Sequence, residues 1–171
     1  MHKKVVVLGG GTGISFLLRG LKEFPVDITA VITVSDNGRS TGTLREEFKI
    51  PAVGDIRKVV SNMSNIDDPI KKMMEYRFKT SSDLNGHAVG NLILTSMLEI
   101  TGSLKESIAC LSKLLDVKHK VLPISEDSNL TLMGLDKVGN IIEGEEQITK
   151  AHRKFEKIYY KEEPKVLDEV L

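Results

Sequence analysis

Four separated groups of residues in this chain have types and spacings that could handle a phosphate-bearing ligand. The first is Gly9, Gly10, Gly11, Thr12 and Gly13. Glycine lets a backbone come close to a ligand and take positive φ without a Cβ clash. A helix after such a loop offers unpaired N–H groups and a positive dipole end to a phosphate. A plain strand-to-helix turn would also use glycine, but four glycines in five positions favour a ligand loop. The second group lies in SDNGRSTGTLR, Ser35 to Arg45, and contains Asp36, Asn37, Gly38 and Ser40. Asp36 falls near where a ribose-binding acid would follow a phosphate loop. The same residue types are ordinary turn formers, so a ligand loop and a surface turn both fit. The third group is Asp55 and Arg57, in IPAVGDIRK. Asp55 could cap a helix there, whereas a cation in its first turn opposes the dipole. Arg57 is therefore a candidate phosphate contact, with an exposed, idle arginine as the alternative. The fourth is His87 with Gly90 and Asn91 at a helix start. The histidine suits acid–base work or hydrogen bonding, although a lone histidine is more often structural.

These groups need strand ends and helix starts to hold them. Val5 to Leu8 is an apolar run that stops at the glycines, and Ile14, Phe16, Leu17, Leu18 and Leu21 then recur at helical spacing. Asp27 to Val34 is rich in β-branched residues and reads as a second strand, parallel to the first through a right-handed crossover. In such sheets ligands bind beyond the carboxyl ends of the strands. Ile56, Val59, Val60 and Met63 mark the buried face of a helix after the third group. Asp68-Pro69 starts another that runs to about Phe78. Gly86 to Gly102 is apolar on most sides and reads as a central helix. Ser103 and Glu106 have capping-box spacing for a helix to about Leu115, with Cys110 read as a small buried residue. Lys120 to Ser125 reads as a strand, and Leu130–Leu135 with Asn140–Glu143 as a hairpin. Lys150 to Lys161 fits a half-buried helix or strand, and Pro164 to Leu171 begins an amphipathic helix.

The glycine loop is neither the usual dinucleotide fingerprint, since Ile14 or Phe16 stands at its last glycine, nor a Walker A loop, since no Gly-Lys-Ser/Thr follows. Composition bounds the rest. The 171 residues suit one domain, with 40% hydrophobic and 28% charged residues as in a globular protein. The 24 basic and 24 acidic residues cancel, which gives no overall field for nucleic acid or an acidic membrane. With one cysteine there is no internal disulfide, and no apolar run is long enough for a membrane span. A cytoplasmic protein is expected, with Met-His-Lys-Lys leading straight into a strand rather than a signal peptide. Glu143, Glu145 and Glu146 read as a solvated face rather than a cation site.

Four segments together, VVVLGGGTGISFLLRGLK, TVSDNGRSTGTLREE, PAVGDIRKVVSNMS and GHAVGNLILTSM, resemble the YvcK/CofD-like family, and its gluconeogenesis-factor branch more closely. The resemblance implies an α/β, Rossmann-like three-layer fold with a mainly parallel sheet, plus a small β-hairpin region near the C-terminal end. It implies one domain over residues 1–171, corresponding to the N-terminal part of longer relatives. Those relatives carry a later Gly-Pro-Gly-Ser-Leu-Tyr-type motif that this chain lacks, so a truncated chain with part of its ligand site elsewhere is expected. The branch binds UDP-sugars such as UDP-N-acetylglucosamine, without established catalysis. Its regulatory roles lie in gluconeogenic carbon metabolism, envelope synthesis and cell shape. On that pattern Gly9, Gly10, Gly11, Thr12, Gly13, Asp36, Asn37, Gly38, Ser40, Arg57, His87 and Asn91 are the ligand-binding set. No cofactor is required in that branch, and envelope-synthesis proteins or a second copy are the implied protein partners. The other branch is a phospholactate transferase using a guanylated donor, a deazaflavin and magnesium, which would fall to Asp36 and Asp55. Arg39 departs from the family pattern, where glycine or serine is usual.

Overall fold

The computed structural model describes residues 2–171. Strand β1 (Lys3–Gly9) leads into α1 (Gly11–Leu21) and returns as β2 (Val26–Ile32). Four helices follow, α2 (Arg39–Phe48), α3 (Gly54–Met63), α4 (Asp68–Glu75) and α5 (Val89–Thr101). After α6 (Leu104–Leu114) the chain forms β3 (Lys120–Pro123). The three strands make a parallel sheet in the order β1-β2-β3, with Lys3 opposite Val26 and Thr29 opposite Lys120. The crossovers thus advance in one direction across the sheet. The architecture is α/β and Rossmann-like, as the strand–glycine turn–helix pattern implies.

Alternation along the strands sets the core. Val7, Ile28, Ala30, Ile32 and Val121 contribute to one apolar cluster with Leu18 of α1, Ile56 and Val60 of α3, Leu94 of α5 and Ile108 of α6. All four positions expected to be buried on α3 are fully buried. Burying a large aliphatic side chain stabilises by about 1.5–3 kcal/mol, so this helix is firmly seated behind the third motif. On the opposite face of β1, Val6 and Leu8 are 70% and 65% exposed.

A second sheet is separate and antiparallel. Its strands are β4 (Leu132–Asp136), β5 (Ile141–Glu143) and β6 (Phe155–Tyr160), with β4 in the middle. The short helix α7 (Glu145–Lys150) links β5 to β6. The expected hairpin is therefore the first part of a three-stranded unit, and the stretch left open between helix and strand is its third strand. Asp136 closes the β4–β5 turn, accepting hydrogen bonds from the Val138 and Asn140 N–H groups, the Asn140 amide and Arg153.

Several expectations need correction. SDNGRSTGTLR is not loop throughout, because helix α2 begins at Arg39. Cys110 is exposed: the buried stripe of α6 runs through Leu104, Ser107, Ile108 and Leu111, and Cys110 lies across the helix from it. Helix α4 stops at Glu75, where Arg77 pairs with Ala88 in an isolated bridge. Asp55 lies within α3 rather than capping it, the cap position being Val53. Helix α5 is less central than its composition suggests, since Leu94 and Leu98 are buried but Ile100 is 84% exposed. After Pro164 the chain makes a single bridge, Val166 with Ser125, and a short 3₁₀ turn at Asp168–Val170 instead of an amphipathic helix.

Candidate functional site

The glycine loop is fixed from two sides. Gly9 accepts a hydrogen bond from the Thr33 N–H at 3.0 Å, which holds the ends of β1 and β2 together. A Cβ on Gly10 would overlap Thr33 Oγ1 and lie 3.0 Å from Asp55 Oδ2, so close packing demands glycine there. Gly11 has φ +73°, in the left-handed region, with open space around it. Its N–H donates to Asp55 Oδ2. Asp55 Oδ1 in turn accepts from Lys58 Nζ at 2.8 Å. The start of α1 therefore already faces a carboxylate from α3.

The second segment is a built turn. Asp36 Oδ1 accepts from the Gly38 N–H at 2.9 Å, and Asn37 Oδ1 accepts from the Glu146 N–H at 3.0 Å. Asn37 thereby docks α7, from the antiparallel unit, beside the parallel sheet. Arg39 has φ +48°, and Ser40 and Thr41 follow it into α2 with 6% and 4% exposure. Arg45, which sequence reading passed over, braces the segment from behind. Its guanidinium donates to the carbonyls of Ser35, Asp36, Ser128 and Leu130 at 2.8–3.3 Å. Its burial among carbonyls lowers its pKa, while nearby Asp36 opposes the shift.

The third and fourth segments meet in a buried polar chain. Arg57, 4% exposed, donates from Nε to Asn91 Oδ1 at 3.2 Å. Asn91 Nδ2 donates to Ser40 Oγ at 3.1 Å, and Ser40 Oγ lies 3.1 Å from His87 Nδ1. The nearest carboxylate to Arg57 is that of Glu75, at 3.9 Å and half exposed. Burial pushes the guanidinium pKa down, and Glu75 partly offsets this. A buried guanidinium with one distant counter-ion is suited to meet an anion.

A cavity of about 430 Å³ joins these groups, within the size range of small-molecule sites. Thr12, Asp36, Gly38, Ser40, Arg57 and Asn91 line it, one or more from each of the four segments. Of the other expected residues, His87 stands behind Ser40 against a smaller hollow shared with Arg77. Asn37 faces a second cavity, of about 480 Å³, on the Arg45 side. Gly9, Gly10, Gly11 and Gly13 shape the loop without lining either cavity. Sequence reading did not single out Lys58, Arg77 and Lys150 on the walls, and it took Glu145, which lines them too, for part of a solvated face. Lys58 carried a signal, its i,i+3 spacing from Asp55; Glu145 and Lys150 arrive on α7 through a contact that no local pattern announces. Burial raises the Glu145 pKa, with Asp36 and then Asp55 adding to the shift. Among the described residues, no group of three or more His, Cys, Asp or Glu is arranged to hold a metal ion. Both Asp55 oxygens are engaged within the protein, one by the Gly11 N–H and one by Lys58.

A family model, 2-phospho-L-lactate transferase CofD, matches residues 5–171. The gluconeogenesis factor of Halalkalibacterium halodurans is 46% identical over 92% of this chain and 48% of its own length. That of Bacillus subtilis is 42% identical over 91% of this chain and 49% of its own. A crystal structure of a UPF0052 family member from Bacillus halodurans superposes with a TM-score of 0.94 at 43% identity. It matches 99% of this chain and 55% of that one. The chain spans about half the length of the curated relatives it matches.

Proposed function

The chain belongs to the CofD family, and on that premise we propose that it binds a nucleotide-sugar, of the UDP-N-acetylglucosamine type, in a regulatory role. The regulated processes are gluconeogenic carbon metabolism, envelope synthesis and cell shape, in the cytoplasm. Names of relatives as gluconeogenesis factors support the metabolic part. Among the described residues no helix is long and apolar enough to cross a membrane, which is compatible with that setting.

One observation carries the proposal: four polar segments far apart in sequence converge on a single cavity with a buried arginine in its lining. In this reading Thr12 donates its hydroxyl to the diphosphate, Arg57 and Arg77 supply positive charge, and Asp36 takes a ribose hydroxyl. Gly11 and Gly13 keep the loop short enough for close approach. Asp55 holds the loop in place rather than contacting the ligand, because its carboxylate already bonds the Gly11 N–H and Lys58. Calorimetric titration with UDP-N-acetylglucosamine, with GDP and NAD as controls, tests the reading. Saturable binding of the UDP-sugar that Thr12→Ala weakens about three- to tenfold, the effect of one hydrogen bond, is expected. Selective binding of GDP would instead favour transferase chemistry.

A further inference from the structure

We infer that Arg39 and Arg77 form a second anion seat beside the cavity, fitted to a carboxylate on the sugar of the bound nucleotide. This rests on the reading that the cavity takes a nucleotide-sugar, and it narrows that ligand to a nucleotide-sugar acid. A hollow of about 340 Å³ adjoins the cavity and shares Arg39, Ser40 and Arg77 with it. Both arginines stand in its lining, and no Asp or Glu among the described residues does. Two lysines of the main cavity are already paired within the protein: Lys58 with Asp55 at 2.8 Å and Lys150 with Glu146 at 2.7 Å. Arg39 differs from them. It is exposed, and no ion pair among the described residues includes it. Its backbone has φ +48° at the first residue of α2, a left-handed conformation that is uncommon for a long side chain and that gathers at ligand sites.

Acceptors around the hollow are engaged, whereas donors are left over. The Gly86 carbonyl accepts from Arg77 Nη1 at 2.7 Å, and Asn85 Oδ1 from the Thr80 N–H at 3.2 Å. The Arg39 carbonyl accepts from Thr43 Oγ1 at 3.4 Å. What remains is the Arg39 guanidinium and the rest of that of Arg77, which can only donate and which match a carboxylate in a forked pair. Two like charges on one small hollow repel until an anion joins them. In the nucleotide-sugar reading Asp36 takes the ribose, and Asp36 lines the cavity but not the hollow. The part of the ligand that reaches Arg39 is then the sugar, on the far side of the diphosphate. Arg39 is thus a specificity-determining contact.

Calorimetry on wild type, Arg39→Gly and Arg39→Gln tests this with two matched pairs, UDP-glucose against UDP-glucuronic acid and UDP-N-acetylglucosamine against UDP-N-acetylmuramic acid. Each pair differs in one carboxylate-bearing group on the sugar. Wild type should bind the acid of at least one pair about tenfold tighter than its neutral partner, the effect of one charge-assisted contact. Both variants should lose that preference and keep their affinity for the neutral ligand within about twofold. Arg39→Gly relieves the left-handed backbone and Arg39→Gln retains it, so a loss common to both reports the charge. Equal affinity of wild type for acid and neutral ligand in both pairs would overturn the seat, as would a preference that survives both variants. Equal weakening of acid and neutral ligand by the variants would make Arg39 a diphosphate contact and overturn the assignment. Binding of none of these ligands by wild type would overturn the nucleotide-sugar reading itself, and the seat with it.

Discussion

At the scale of single residues, Arg57 joins the third and fourth segments through Asn91 and lines the cavity with 4% exposure. Removing it leaves Asn91 Oδ1 buried and unpaired. Arg57→Ala should therefore lower stability by about 1–3 kcal/mol and also weaken the UDP-sugar. Urea denaturation beside calorimetry checks both, and an unchanged midpoint would show that the polar chain closes without the guanidinium. Asp136 offers a separate residue-scale test. Four hydrogen bonds, led by that from the Asn140 amide, hold its carboxyl down at about 2. A carboxylate has its usual value near ~3.9 in an unfolded chain. The folded-state value is the lower one, so its contribution is complete above about pH 4 and fades as pH falls toward 2. Thermal melts across that window should flatten in Asp136→Asn; an identical pH dependence would show that other carboxylates dominate. Residue-level sequence reading had mixed reach. Thr12, Asp36 and Arg57, which line the cavity, stand out in the sequence because odd residue types sit beside glycines. Arg45 was missed because its partners are backbone carbonyls, which any sequence supplies. Cys110 was misplaced because composition, without the phase of the helix, cannot tell the buried side from the exposed one.

At the scale of elements, the cavity depends on how α2 and α3 pack against the loops. A Cβ on Gly42 would run into the Asn37 carbonyl, and one on Gly10 into Thr33 and Asp55. Gly42→Ala should push α2 from the Asp36–Gly38 turn and weaken UDP-sugar binding more than it lowers stability. Calorimetry and urea melts on the same variant separate the two effects; intact affinity would mean that the turn moves freely with the helix. Strands β1 and β2 and helix α3 were legible because hydrophobic periodicity reports one-sided burial directly. Helix α2 was not, since its glycine, serine and threonine residues favour turns and only tertiary contacts make the segment helical. The third strand of the antiparallel sheet was ambiguous for a related reason. Its Phe155, Tyr159 and Tyr160 are half-buried while Ile158 is exposed, which breaks strict alternation.

For the whole molecule, the parallel sheet ends at β1, whose outer edge is unpaired among the described residues. Val6, Leu8, Phe16 and Leu17 near that edge are each more than half exposed. Bare strand edges with apolar neighbours promote association. Sedimentation velocity should show concentration-dependent association that Leu8→Lys with Phe16→Glu suppresses; a monomer at all concentrations would show that the edge is protected in solution. Fold class could be read from the order of strand, glycine turn and helix, while the meeting of α7 with Asn37 required three dimensions. In the proposed function four distant segments form one nucleotide-sugar site. Its most direct test is backbone NMR titration with UDP-N-acetylglucosamine. Saturable shifts at Thr12, Asp36 to Ser40, Arg57 and Asn91 with one common dissociation constant are expected. Shifts confined to the Arg45 and Asn129 cavity, or no saturable shifts, would contradict it.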